Sequence, residues 1–228
     1  MTVHLGRTTW TEHHRRDRPA VLVVPIGSCE QHGPHLPLDT DTRVAAALAE
    51  NLASKFDEGE LLVTPPVTIT ASGEHAGFPG TLSIGNEVME HLVVELVRSA
   101  DWSRGVVLVN GHGGNRVPVE RAVRRLHGEG RKVLSWWPRV PGGDAHAGDT
   151  ETSLMLAIAP DLVRMHRAEV GVTAPLGDLI DEIREGGIVS VSRNGVLGDP
   201  LRASATAGRT MLTRLSIDLV AAVDEWLE

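Results

Sequence analysis

AVLVVPI, Ala20 to Ile26, is an unbroken run of β-branched and apolar residues that stops at Gly27-Ser28. A run without polar alternation suits a strand covered on both faces, the signature of a parallel sheet between helices. GVVLVN, Gly105 to Asn110, repeats the pattern before Gly111, and Lys132 to Trp137 supplies a third strand. Apolar residues at helical spacing lie between them. Val44, Ala47, Leu48 and Leu52 mark a helix over Arg43 to Lys55, and Val88, Met89, Leu92, Val93, Leu96 and Val97 mark another with Asn86 as its N-cap. Asn115 and Pro118 open a helix carrying Val119, Ala122, Val123 and Leu126. One more runs from about Thr150 to Ile158, and a last from about Thr206 to Leu227 aligns Leu212, Leu215, Leu219, Val220, Val223 and Leu227 on a core-packing face. Strands alternating with helices predict a doubly wound α/β fold: one three-layer domain over 1–228, a mostly parallel sheet flanked by helices.

Composition narrows the functions this domain can serve. With 228 residues, 41% hydrophobic and 23% charged, the chain can bury one sizeable core, which excludes disorder, collagen and coiled coil. A net charge of −8 without a visible basic patch excludes nucleic acid as a partner. Cys29 is the one cysteine, so no internal disulfide forms. MTVHLGRTTW lacks an apolar signal core, and no apolar run reaches membrane-spanning length. These features predict a cytoplasmic protein without a membrane partner. Eleven histidines direct attention to metal or acid/base chemistry, although His4, His13 and His14 read as solvated.

Ligands of open α/β sheets collect beyond the carboxyl ends of the strands. Glu30-Gln31-His32 follows the first strand, His112 in NGHGGN the second, and His146 with Glu151 in PGGDAHAGDTE the third. Glu30 and His32, at i and i+2 of an extended segment, face the same side and could serve two metals about 3.5 to 4 Å apart. Asp41 at the next helix start could bridge them or act as an N-cap, with Asp39 or Thr40 free to take the capping role. NGHGGN fits neither GxGxxG nor a P-loop, so its glycines favour close approach to a metal over phosphate binding. Glu151 is either a further ligand or a helix-dipole partner, and His146 a proton shuttle or a solvated loop residue. Mixed nitrogen and oxygen ligands without cysteine suit a catalytic zinc, manganese or iron site that keeps water. Cys29 reads as a small buried hydrophobe.

GSCEQHGPHLPLDTD, VNGHGGN and DAHAGDTETSLML together resemble the creatininase family, metal-dependent amide hydrolases of α/β fold, over about Ala20 to Gly208. GEHAGFPGTLSIG and NGVLGDP are similar to the branch that cuts a modified ribosomal precursor peptide, freeing its cross-linked C-terminal Val-Tyr dipeptide for cofactor biosynthesis. The resemblance implies two divalent ions per subunit (zinc, iron or manganese) held by Glu30, His32, Asp41 and His112, with Asp41 bridging. Members that hydrolyse creatinine carry a glutamate ligand where this chain has Gly114, so Glu151 becomes the substitute ligand and creatinine is not the expected substrate. It further implies catalytic roles for His146 and Glu151, with His146 giving a proton to the leaving nitrogen. Glu74 and His75 in SGEHAGFPG, with Trp136 and Trp137, would contact substrate, and the chain would form a closed homo-oligomer. Two other readings stay open: a hydrolase of small cyclic amides or formamides, and a non-catalytic metal-binding scaffold.

Overall fold

The computed structural model describes residues 2–14 and 18–228; Met1 and residues 15–17 lie outside the described residues. Its strands are β1 (Val3–His4), β2 (Val21–Ile26), β3 (Leu61–Val63), β4 (Gly105–Asn110) and β5 (Val133–Trp136). They form one five-stranded sheet in the order β1-β3-β2-β4-β5, every described pair parallel. Around it lie α1 (Trp10–His14), α2 (Thr40–Ala53), α3 (Gly85–Ser99), α4 (Arg116–Gly128), α5 (Asp149–Ile158), α6 (Leu176–Gly186), α7 (Ile188–Val191) and α8 (Ala205–Leu227).

Strand side chains alternate between two helical layers. Val21, Val23, Val107, Val109 and Trp136 pack with α2, α5 and α8 through Leu48, Leu52, Met155 and Leu219. Leu22, Val24, Ile26, Val106, Leu108 and Val133 pack with α3 and α4 through Met89, Val93, Val119 and Leu126. From β2 the chain steps outward through α2 to β3, then returns through α3 to β4 on the other side. The switch point of the sheet therefore lies between the carboxyl ends of β2 and β4, where a crevice is built into the topology.

The expected central strands and the five long helices are present within a few residues of their predicted ends. Two caps differ. α3 begins at Gly85 without a side-chain cap, so Asn86 lies inside its first turn. Asn115 flanks α4 without capping it: its amide accepts from Ala71 N and donates to Gly27 O and Asn110 Oδ1, tying three loops beneath the crevice. β1, β3, α1, α6 and α7 are additional, and among the described residues no helix is long and apolar enough to cross a membrane.

α8 crosses α5 at Gly208, where an added Cβ would collide with the carbonyl of Ser153. Gly208→Ala must push the helices apart and should lose about 1–3 kcal/mol in denaturant unfolding, the usual cost of overpacking. An unchanged midpoint would mean that the crossing can slide.

Candidate metal centre

The segment after β2 folds back on itself through Glu30 N–H donating to Leu38 O at 2.9 Å, which returns the chain to the crevice as α2 begins. Asp39 does not cap α2 with its side chain but pairs with Arg43 at 2.8 Å, and the Thr40 hydroxyl donates to Pro37 O at 2.7 Å. Asp41 is not a cap either: its buried carboxylate turns inward and accepts the Ser28 hydroxyl at 2.9 Å. His35 Nε2 meets the Thr152 hydroxyl at 2.8 Å and clamps the same loop to α5 beside Glu151.

Backbone carbonyls decide which histidine nitrogens carry protons. A carbonyl can only accept, so Nδ1 of His32, 3.1 Å from Glu30 O, and Nε2 of His112, 2.9 Å from Ala71 O, must be the protonated atoms of the neutral rings. The opposite nitrogens are then lone pairs, and both point at carboxylates. His32 Nε2 lies 3.0 Å from Asp41 Oδ1 and 3.9 Å from Glu151 Oε2. His112 Nδ1 lies 3.0 Å from Asp41 Oδ2 and 3.1 Å from Glu30 Oε1. Both oxygens of the fully buried Glu30 carboxylate lack a hydrogen-bond partner. Acceptors facing acceptors in a buried pocket are held together only by positive charge. The donor set fits divalent cations: Glu30, Asp41 and His112, or His32, Asp41 and Glu151, or Glu30, His32 and His146 each bring three donor atoms together, and the two Asp41 oxygens face His32 and His112 separately.

Without cations the same demand falls on protons. Burial opposes protonation of His32, yet Asp41, Glu151 and Glu30 outweigh it and lift its pKa to about 10. Burial likewise opposes protonation of His112, but Glu30 and Asp41 hold it well above the usual histidine range. Asp41 is pushed up by burial but carried well below the carboxylate range by His32 and His112. Burial raises Glu151 to about 7 against the pull of His32.

Glu151 sits in the first turn of α5, as its dipole reading required, and also faces the cluster; its Oε2 accepts Ala147 N–H at 2.6 Å. Ala147 adopts a left-handed φ of 53° to make that turn. His146 Nε2 donates to Gln31 O at 2.9 Å, leaving Nδ1 3.9 Å from Glu151 Oε2. Burial and the neighbouring His32 and His75 hold His146 well below the usual range, hence neutral. The cluster opens on this side, where the Glu151 side chain keeps 24% of its exposure while that of Glu30 keeps none. Sequence reasoning passed over Gln31. Its side-chain amide donates to Gly195 O and to His75 Nδ1 at 2.9 Å, while its backbone carbonyl accepts the His146 Nε2 proton, so one residue joins two loop histidines.

His75 Nε2 approaches Glu30 Oε1 to 3.3 Å, and burial lowers the His75 pKa to about 4. Glu74 lies behind His112, its Oε1 3.6 Å from Nε2, and occupies the space that a side chain at Gly114 would need. Trp136 departs from expectation. It is a core residue whose indole N–H donates to Asp218 on α8 at 2.8 Å, because the strand's alternation turns it away from Trp137. Trp137 is half-buried between the guanidinium groups of Arg116 and Arg139, at 4.6 and 5.8 Å. Cys29 is half-buried rather than buried, its thiol near Gly80 O.

The profile of the creatininase family, described as creatinine amidohydrolase, matches residues 6–223. The chain is 46% identical over 226 residues to the mycofactocin precursor peptide peptidase of Mycolicibacterium smegmatis, covering 97% of this chain and 91% of that one. It is 47% identical over 215 residues to the protein of the same name from Mycobacterium tuberculosis, covering 90% and 85%. A solved structure described as creatininase Mn superposes with a TM-score of 0.83 at 26% identity, over 99% of this chain and 98% of that one.

Cations and protons compete for the same lone pairs, so metal affinity should rise with pH until His32 deprotonates near 10. Calorimetry at pH 8 in buffers of different ionisation heat should register net proton release; none would contradict the lone-pair geometry. In the metal-free protein, the stabilisation from His32 is complete below its ordinary value of 6.5 and lost as pH rises through about 10. Thermal stability without metal should therefore fall over that interval. Asp41→Ala should lose both ions in metal analysis, whereas retention of one would show that the carboxylate is not shared.

Proposed function

The chain belongs to the creatininase family of metal-dependent amide hydrolases, and on that premise we propose that it is the peptidase that cuts the mycofactocin precursor peptide. The product would be the modified C-terminal Val-Tyr dipeptide, released for cofactor biosynthesis. The observation that carries this reading is the near full-length likeness to two peptidases named for that substrate. Gly114, with Glu74 in the space beside it, leaves this chain without the glutamate of creatinine-hydrolysing members and argues against creatinine itself.

The cofactors we assign are two divalent ions per subunit, zinc, iron or manganese. Glu30, Asp41 and His112 would hold one, and His32, Asp41 and Glu151 the other. When bound, the ions supply the Lewis acidity that polarises the scissile carbonyl and offsets the charge growing on it. The chain's own residues do the rest. Ser28 steadies the shared Asp41 carboxylate, and Ala147 N–H steadies Glu151 at the open side, where an amide can enter. His146 keeps its proton on Nε2 against Gln31 O and begins the reaction neutral, so Nδ1 can take up the proton that the attacking water gives up as it adds to the carbonyl and pass it to the leaving nitrogen as the C–N bond breaks. His75 lines the same approach. We assign a single domain over 1–228, a closed homo-oligomer and a cytoplasmic location, without nucleic-acid or membrane partners.

Mass spectrometry of the modified precursor peptide before and after incubation with the metal-loaded protein should show loss of the C-terminal dipeptide. An unaltered peptide together with turnover of a formamide or cyclic amide would transfer the assignment to small-molecule hydrolysis. Metal binding without any turnover would favour the scaffold reading. His146→Ala should keep its metals yet cut the peptide about 10² to 10⁴-fold more slowly, the usual contribution of a general acid or base. An ester analogue with a good leaving group should remain near the wild-type rate, and equal losses on both would give His146 a positioning role instead.

A further inference from the structure

β5 is the outer strand of the sheet and, among the described residues, pairs only with β4. Val106 N–H bonds to Lys132 O, so Lys132 faces β4, and the alternation of a parallel strand turns the backbone of Val133 and Ser135 to the outside. His127 Nε2 covers Val133 O at 2.9 Å, whereas the exposed Ser135 has no hydrogen bond on its outward side among the described residues. Beside this edge lies a cavity of about 380 Å³ between β5 and α4, with Asn110 at its floor, two residues from His112.

The cavity is basic in a chain of net charge −8. Arg116, Arg124 and Arg139 line it together with Trp137. Arg116 pairs with Glu120 at 2.9 Å, but Arg124 and Arg139 are exposed and have no carboxylate partner among the described residues. The sequence shows no such patch because its members come from a helix and from the segment beyond a strand. An unpaired strand edge beside unpaired guanidinium groups is suited to an extended peptide bearing carboxylates.

Resting on the peptidase reading, we propose that this groove binds the acidic, extended stretch of the substrate peptide that precedes the scissile bond. Polarity supports that occupant. Hydrolysis near the substrate's carboxyl terminus occurs at the carboxyl ends of the strands, so the upstream stretch running back along β5 has the same direction as β5. It adds a sixth parallel strand to a parallel sheet. From Val133 to Trp137 the edge offers about 13 Å at roughly 3.3 Å per residue, enough for four or so substrate residues. Arg139 meets the end nearer the centre and Arg124 the farther end, because α4 runs antiparallel to β5.

The test is fluorescence anisotropy of the full-length protein with a labelled peptide of about ten residues, lacking a cleavable end and carrying alternate glutamates. A lysine counterpart and a version N-methylated at alternate amides serve as controls. Wild type should bind the acidic peptide, more weakly as salt rises, and bind neither control. Arg124→Glu with Arg139→Glu should weaken the acidic peptide about tenfold and favour the lysine peptide, as expected for two exposed charge pairs inverted. Equal binding of both charges, no binding by wild type, or unchanged binding by the double variant overturns the groove. So does a drop in assembly mass of that variant, which would assign the edge to a second copy of the chain. Charge-dependent binding without precursor cleavage would sink the peptidase reading and spare the groove; cleavage without such binding would do the reverse.

Discussion

Two hydrogen bonds from imidazole to backbone carbonyl govern the centre of this molecule. Once Glu30 O and Ala71 O have taken the protons of His32 and His112, the remaining ring nitrogens can only accept, and they converge on Glu30 and Asp41 in a buried setting that screens the repulsion weakly. A buried cluster of acceptors is costly by itself and becomes stable when positive charge enters it. The tertiary structure supplies those carbonyls from different places, one from the loop after β2 and one from the segment after β3. Cation binding is therefore coupled to correct packing of the switch point of the sheet and not to a local motif alone.

The surroundings of the cluster divide into a rigid side and an accessible side. Asn115 ties the loops after β2, β3 and β4 together, and His35 clamps the first of them to α5. These contacts bury Glu30, His32 and Asp41 almost completely. On the other side the left-handed turn at Ala147 brings the partly exposed Glu151 beside the buried His146. Buried groups that hold charge thus sit beneath a carboxylate, Glu151, that keeps access to solvent.

Gly114 leaves room beside His112 for a carboxylate delivered from another segment of the chain. The space beside His112 that a side chain at 114 would claim holds Glu74 instead, delivered from the loop after β3. Its carboxylate faces the Nε2 side of the ring, away from the lone pair that meets Glu30 and Asp41. A glutamate there therefore acts on the proton of His112, which changes the tuning of the centre without adding a donor to it.

The central strands, the long helices and the convergence of Glu30, His32, Asp41, His112 and Glu151 were legible in the sequence. Buried parallel strands read as continuous apolar runs, helices show their period, and loops at the carboxyl ends of such strands have a determined side of the sheet. Short elements were not: Leu61–Val63 is too brief to carry a period, and Leu176–Gly186 packs mainly on a small satellite cluster with Ile188 and Leu197. Trp136 and Trp137 look alike as neighbours, and only the pleat of β5 sends one into the core and the other toward Arg116 and Arg139. The histidine tautomers, the joining role of Gln31, the Glu74 carboxylate beside Gly114 and the basic groove depend on contacts between distant segments. A sequence records which groups are available; which backbone carbonyl faces which ring nitrogen, and which cations end up without partners, is decided when the sheet and its loops close.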